Sequence, residues 1–195
     1  MRYEKGHKEA TRKRIIETAA ARFRKDGIEG VGVADLMAEA GLTHGGFYSH
    51  FASKEDLVRA AMDEASAVSA IRFDQRVNEG GLEAWIRAYM RPEHRDHPEK
   101  GCIVAALASE LARHPEATRK GFSERLAKVK TAIESRLPTG MTPAQKSKTA
   151  VGIFAILVGA LQMARAVDDA KVSNDFLEAG IASALQLAQI KNTAS

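Results

Sequence analysis

Val33-Ala-Asp-Leu-Met-Ala-Glu-Ala-Gly41-Leu-Thr43-His-Gly-Gly-Phe47-Tyr-Ser-His-Phe51-Ala-Ser-Lys-Glu-Asp-Leu57 decides how the rest of this chain reads. Val33, Leu36, Met37 and Ala40 recur at helical spacing and predict a short helix with one buried face. Gly41 follows at once, where a helix commonly ends in a left-handed residue, and Leu42 can turn inward behind it. Thr43 is a good N-cap for a second short helix. That helix has only two large apolar residues in register, Phe47 and Phe51, four apart on one face. Its remaining positions are Thr43, His44, Gly45, Gly46, Tyr48, Ser49 and His50, so a narrow buried edge is backed by a broad face of small or hydrogen-bonding groups. Ser53 and Asp56 have capping-box spacing and start a third helix. Two short helices joined by a glycine-containing turn make a helix-turn-helix.

The wide face of the second helix suits DNA. Gly45 and Gly46 each cost a helix about 1 kcal/mol relative to Ala, a cost that is useful where another surface must approach the backbone closely. The N-terminus of a helix also offers free N–H groups and partial positive charge to phosphate. A glycine pair that merely extends the turn would leave Phe47-Tyr48 and Phe51 without a purpose at their spacing.

The run Gly41-Leu42-Thr43-His44-Gly45-Gly46-Phe47-Tyr48-Ser49-His50-Phe51, followed by Ser53-Lys54-Glu55-Asp56-Leu57, resembles the DNA-binding domain of the tetracycline-repressor (TetR) family. The resemblance covers about the first 60 residues, with turn, recognition helix and next helix all in register. It implies that Thr43, Gly45, Gly46, Tyr48 and His50 lie at or near DNA, with Lys54 on a phosphate; His44, on the same wide face, is expected to contact DNA with them. One departure is Gly32, where the family often has Ser or Thr as a helix cap. Glycine can cap, but it brings no hydroxyl to a phosphate.

Around this motif the composition is that of an ordinary globular chain: 195 residues, 45% apolar, 28% charged, net charge +4 and pI near 9.2. The charge is unevenly placed. Nine basic residues (Arg2, Lys5, Lys8, Arg12, Lys13, Arg14, Arg22, Arg24 and Lys25) face three acidic ones (Glu4, Glu9 and Glu17) in the first 25. A basic arm ahead of a helix-turn-helix supplies sequence-independent attraction to phosphate. Ile15, Ala19 and Phe23, with Ile16 and Ala20, give the first helix its buried face, and Asp26-Gly27 ends it. Gly27, Gly30 and Gly32 match neither dinucleotide-binding nor phosphate-loop spacing. With Cys102 the only cysteine no intrachain disulfide can form, and without a secretory signal the expected compartment is the cytoplasm. No apolar run reaches the ~20 residues needed to cross a bilayer, so no membrane partner is expected.

Downstream of the motif the pattern stays helical. A long helix from Ser53 to about Val77 is expected to break at Asn78-Glu79-Gly80-Gly81. Leu82–Met90 forms the next helix, residues 91–100 a proline-broken polar loop, and Ile103–Arg113 and residues 115–137 two more. The last of these carries Phe122, Leu126, Val129 and Ile133 as its stripe. Thr142-Pro143-Ala144-Gln145 combines N-cap, first-turn proline and capping-box glutamine and opens a helix to about Asp168. A last helix runs from Ser173 to about Ile190. Small residues (Gly152, Ala155 and Gly159 on one; Gly180 and Ala184 on the other) mix with large apolar ones over much of both surfaces, which suits a four-helix dimer interface, although an ordinary intrachain core reads the same way. His94, His97 and Cys102 lack the second cysteine and the spacing of a structural zinc site, so no metal and no cofactor is expected. Cys102 at a helix start near Lys100 is either a small buried hydrophobe or a thiol that senses oxidants or electrophiles.

The fold class is therefore all-α: a three-helix helix-turn-helix DNA-binding domain with its basic arm over residues 1–52, and a helical ligand-binding and dimerisation domain over 53–195. The expected function is a dimeric transcriptional regulator, ligand- or redox-responsive, most simply a repressor that a small molecule releases from a double-stranded operator. The homodimer would form through the last two long helices. Trp85, Tyr89, Met90, Cys102, Phe122, Phe154, Leu157 and Met163 are the candidate effector-pocket residues. The alternative is a DNA-binding or protein-interaction module with no effector. An enzyme is not expected, because the histidines and acids show no nucleophile–base spacing or metal signature.

Overall fold

A computed structural model describes residues 5–190. Arg2 and Glu4 of the basic arm lie outside the described residues. Among those described the elements are helical throughout and no strand occurs. In chain order they are α1 (Lys5–Asp26), α2 (Val33–Glu39), a 3-10 helix (His44–Ser49), α3 (Lys54–Tyr89), α4 (Pro92–Asp96), a second 3-10 turn (Pro98–Lys100), α5 (Ile103–Leu111), α6 (Glu116–Glu134), α7 (Pro143–Ala166) and α8 (Ala170–Leu187).

The chain forms two compact units. The first takes the residues up to Val68 and those of Pro98–Phe122; the second takes Ser69–His97 and the chain from Ser123 onward. In the first unit, Ile15, Ala19 and Phe23 of α1 are fully buried with Leu36 and Met37 of α2, Phe47 and Phe51, and Leu57 and Val58 of α3. The α1–α2 turn is possible because Gly27 takes φ +79°, a conformation that costs an L-residue with a side chain. Its missing side chain also leaves room for the Glu110 carboxylate, which would lie 3.1 Å from an added Cβ. Arg22 holds this region laterally, bridging Asp26 at 2.6 Å and Glu39 on α2 at 2.5 Å.

In the second unit the expected break at Gly80-Gly81 is present. Both residues leave helical geometry, Gly81 with φ +71°, and the chain turns so that Phe73 and Trp85, on either side of the break, meet edge-on at 4.9 Å. The start of α7 follows its sequence closely. The Gln145 N–H donates to Thr142 Oγ1, the Thr142 N–H donates to Gln145 Oε1, and Pro143 occupies the first turn. Asp169 caps α8 by accepting from the Val172 N–H at 2.8 Å, and the buried Ser173 hydroxyl donates to the Ala164 carbonyl at 2.6 Å. These bonds fix the α7–α8 hairpin.

Three local expectations change. Residues 91–100 are not a loop: Pro92 starts the short helix α4, as a proline with preset φ and no N–H can at a first turn. The α6 stripe is shallower than a core stripe, with Ile133 fully buried and Phe122, Leu126 and Val129 only half-buried. The small residues of α7 and α8 are partly consumed within the chain. A Cβ at Gly180 would fall 2.9 Å from that of Ala160 and 2.6 Å from Met90 Cε, and one at Gly152 would fall 3.2 Å from Leu187. Spacing alone does not separate close packing inside one chain from close packing between two.

Candidate nucleic-acid interface

The helix-turn-helix begins where α2 stops. Gly41 has φ +70°. Its N–H donates to the Ala38 carbonyl at 2.9 Å, and the Leu42 N–H reaches back to the Met37 carbonyl at 2.8 Å. This pair of bonds is the Schellman closure that a glycine after a helix permits. Leu42 is half-buried. Thr43 then takes extended backbone angles at the cap position, but its hydroxyl makes no capping bond. The segment it opens is a 3-10 helix rather than an α-helix. The Gly46 N–H donates to the Thr43 carbonyl at 3.0 Å and the His50 N–H to the Phe47 carbonyl at 2.9 Å. Two adjacent glycines with weak α preference allow this tighter winding.

The segment is sharply two-sided. Phe47 and Phe51 are 1% and 2% exposed and stack at 5.6 Å. Arg12 of α1 lies over the Phe51 ring at 4.7 Å, tying the basic first helix to the segment's inner edge. On the outer side Thr43, His44, Gly45 and Ser49 are exposed, and Tyr48 is 69% exposed, set edge-on to both His44 and Phe47. Gly46 and His50 are half-buried. An alanine methyl at Gly45 would meet nothing within 4 Å, and one at Gly46 only ordinary contacts. The space around Gly45 does not require glycine there.

Burial lowers the His50 pKa, and the nearby charges of Lys8 and Arg12 lower it further. Its Nδ1 is buried without a protein partner. Lys8 and Arg12 thus place two cations beside His50, which they and burial hold toward its neutral form, at the end of the segment. Lys54, half-buried, stands at the first position of α3. That helix is capped by Ser53, whose hydroxyl accepts from the Asp56 N–H at 3.2 Å, while the Asp56 carboxylate accepts from the Ala52 N–H at 3.3 Å. The box expected at Ser53 and Asp56 is therefore closed one residue early. At Gly32 the Asp35 carboxylate occupies the space a side chain would take, 3.0 Å from an added Cβ. A carboxylate suits the positive end of α2.

Three contacts of this unit carry no signal in the local sequence. Glu110 of α5 accepts from the backbone N–H groups of Ile28 and Glu29 at 3.0 and 2.6 Å. The Arg24 Nε donates to the Glu99 carbonyl at 2.9 Å. Glu55 accepts from His114 Nδ1 and from the Thr118 hydroxyl, both at 2.8 Å. These bonds hold α5 and the start of α6 to the α1–α2 turn and to the beginning of α3.

The candidate effector residues divide. Cys102 and Phe122 belong to the first unit and the other six to the second. In the second unit Trp85, Tyr89 and Phe154 form a chain of edge-on rings, 5.6 and 6.4 Å between centroids, extended by Phe73 and His94. Met90 and Leu157 are buried, whereas Met163 is 54% exposed. Cys102 is half-buried at the N-cap of α5. A cleft of about 260 Å³ lies near α4, between Arg95 and Asp96 and the turn from Ala164 to Ser173. Sequence reading weighed His94 only as a metal ligand, and missed Phe73 and the arginines, Arg72 and Arg165, whose charges act on His94.

His94 gives this cluster a pH dependence. Its Nδ1–H donates to the Tyr89 carbonyl at 2.6 Å. Burial pushes its pKa down to about 4, with repulsion from Arg165 and Arg72 adding to the effect and the Tyr89 bond opposing it. An unfolded histidine titrates near ~6.5. Between that pH and about 4 the unfolded chain takes up a proton that the folded chain refuses, so stability falls as pH falls, by up to about 3 kcal/mol, and levels off below. His94→Asn keeps a donor for Tyr89 and cannot titrate. Its urea-unfolding midpoint should decline less than that of the wild type on going from neutral to acid pH, and parallel declines would contradict the assignment.

Comparison with known proteins gives one answer from both units. A family model described as bacterial regulatory proteins, tetR family, matches residues 15–61, and a second, described as tetracyclin repressor-like C-terminal domain, matches residues 80–180. The A-factor receptor protein of Streptomyces griseus is 38% identical over 61 residues, 31% of this chain and 21% of that protein. The HTH-type transcriptional regulator TtgR of Pseudomonas putida is 40% identical over 63 residues, 32% of this chain and 30% of that protein. The matches to these two relatives thus span less than a third of their lengths. A solved TetR-family transcriptional regulator from Cytophaga hutchinsonii has the same fold, with a TM-score of 0.80 at 22% identity, covering 96% of this chain and 97% of that one.

Proposed function

Because this chain belongs to the TetR family of bacterial regulatory proteins, we propose that it is a dimeric, ligand-responsive repressor whose DNA-reading face is the exposed side of residues 43–54. The observation that carries this reading is the two-sided 3-10 segment. Phe47 and Phe51 anchor one edge, and the other presents Thr43, His44, Gly45 and Tyr48 to solvent with open space around the glycine. In this reading His44, Gly46 and Tyr48 lie in the groove, while Lys54, Lys8, Arg12 and His50 lie on phosphates. Lys54→Ala should weaken binding on all sequences and flatten the salt dependence by about 0.9 in the log–log slope, one phosphate's share. Fluorescence anisotropy on labelled duplex at several salt concentrations measures this; an unchanged slope would remove Lys54 from the interface.

Residues 1–52 serve as the reading domain and 53–195 as the body in this proposal. The dimer reading draws on α7. Although this helix is strongly apolar, only 28% of its most apolar stretch is buried, and Val151 and Met163 on it, with Val172 and Leu187 on α8, are 40–54% exposed. A second copy would cover that surface and would set two reading segments against two half-sites. Val151→Glu combined with Leu187→Glu should yield monomers by light scattering and lower operator affinity at least tenfold. A dimer of unchanged stability would place the interface elsewhere.

The effector in this proposal is a largely apolar small molecule received by the ring cluster of Trp85, Tyr89 and Phe154. It acts by binding one state of the body better than the other, the only way a ligand shifts an equilibrium. Trp85 is the sole tryptophan, so its fluorescence reports occupancy directly. A compound that releases DNA yet leaves Trp85 emission unchanged would locate the effector site away from these rings.

A further inference from the structure

We propose that Glu29, Glu110 and His114 form a binding site for a divalent transition-metal cation, with Zn²⁺ as the probe. One donor atom from each residue lies within 4.8 Å of the others. The His114 side chain is 5% exposed, and its Nδ1–H is committed to Glu55 Oε1 at 2.8 Å. That bond fixes the tautomer and leaves Nε2 as the nitrogen with a lone pair to offer. Glu55 is itself held by the Thr118 hydroxyl. A carboxylate behind an imidazole is the arrangement that orients a metal-binding histidine.

Glu110 is equally preset. Its two oxygens accept from the Ile28 and Glu29 N–H groups, and each keeps a second acceptor position. Glu29 is exposed and can swing. Donors around tetrahedral zinc stand ~3.4 Å apart at bond lengths of ~2.1 Å, so closure asks about an ångström of movement, which a solvent-exposed glutamate supplies. The charge points the same way. Among the described residues neither Glu29 nor Glu110 pairs with a lysine or arginine, so the two carboxylates approach one another with only the His114 imidazole beside them. One imidazole and two carboxylates suit Zn²⁺ and its neighbours better than Mg²⁺ or Ca²⁺. Water would complete the coordination. The expectation of no metal rested on His94, His97 and Cys102, none of which takes part here.

An occupied site would tie Glu29, in the turn ahead of α2, to Glu110 on α5. Any effect of that tie on DNA binding rests on the repressor reading; the metal binding itself does not. The test is calorimetric titration of Zn²⁺ into the full chain after chelator treatment, with no DNA present. The expected result is one Zn²⁺ per chain, weakened at least tenfold by Glu29→Gln and by Glu29→Ala, together with a zinc-dependent rise in melting temperature that both variants lose. Glu29 is exposed, so both variants keep the fold, which circular dichroism verifies. No saturable binding, or equal binding in wild type and both variants, as scattered surface histidines would give, overturns the proposal. Operator binding is not read in this assay, so its failure leaves the repressor reading untouched.

Discussion

Gly45→Ala should leave the protein as stable as the wild type, or slightly more so, and reduce operator affinity at least tenfold. The first half follows from space and backbone. A methyl at Gly45 meets no atom within 4 Å and the residue does not have positive φ, so the substitution removes unfolded-state freedom worth about 0.4–1 kcal/mol at no steric cost. The second half follows from the proposed interface, where the same methyl stands between the segment's backbone and the DNA; a tenfold loss is about 1.4 kcal/mol. Few substitutions separate folding from function so cleanly. Urea denaturation reads one arm and anisotropy titration the other. Undiminished DNA affinity would mean that Gly45 is not at the interface.

Phe47→Ala should do the opposite and fail through the fold. Phe47 is 1% exposed, stacked on Phe51 and edge-on to Tyr48. Truncating a buried phenylalanine costs about 3–5 kcal/mol, out of a total that is typically ~5–15. The 3-10 segment has one buried residue of its own, with Phe51 just beyond its end, so losing Phe47 should melt it and abolish DNA binding although no proposed DNA contact is altered. Thermal unfolding followed by circular dichroism would show a clear drop in the midpoint. A variant with wild-type stability would contradict the placement of Phe47 in the core.

What was readable in the sequence is what local chemistry determines. Gly41 closes α2 through bonds to residues 37 and 38, Thr142 and Gln145 cap α7 across three positions, and Gly80-Gly81 breaks α3 where helix propensity fails. Each depends on neighbours within a few residues, so composition and spacing suffice. The 3-10 winding of residues 44–49 was not readable, because the glycine pair that permits it also permits an extended turn. The bonds from Glu110 to Ile28 and Glu29, and from Glu55 to His114, join residues 59 to 82 positions apart. A lone glutamate on an amphipathic helix looks like any solvated charge, and nothing in its own segment names its partner. Gly180 shows the same limit for packing: its small size predicted a close approach, and the fold uses that approach against Ala160 and Met90 of its own chain.

The assignment of α5 to the first unit bears on regulation. Glu110 and His114 lie in or just after a helix far downstream of the reading segment, yet they bond to the turn before α2 and to the start of α3. In the proposed repressor, movement of α5 and of the residues just after it would reach the turn before α2 and Glu55 at the start of α3, which flank residues 43–54, through these hydrogen bonds as well as through α3.

The most direct test of the account is a footprint of the wild-type protein on DNA that it has selected from a random pool, titrated against competitor DNA and salt. The expected result is a two-fold symmetric protected site, saturable and resistant to competitor, that weakens as salt rises. Protection without sequence preference or symmetry would contradict it.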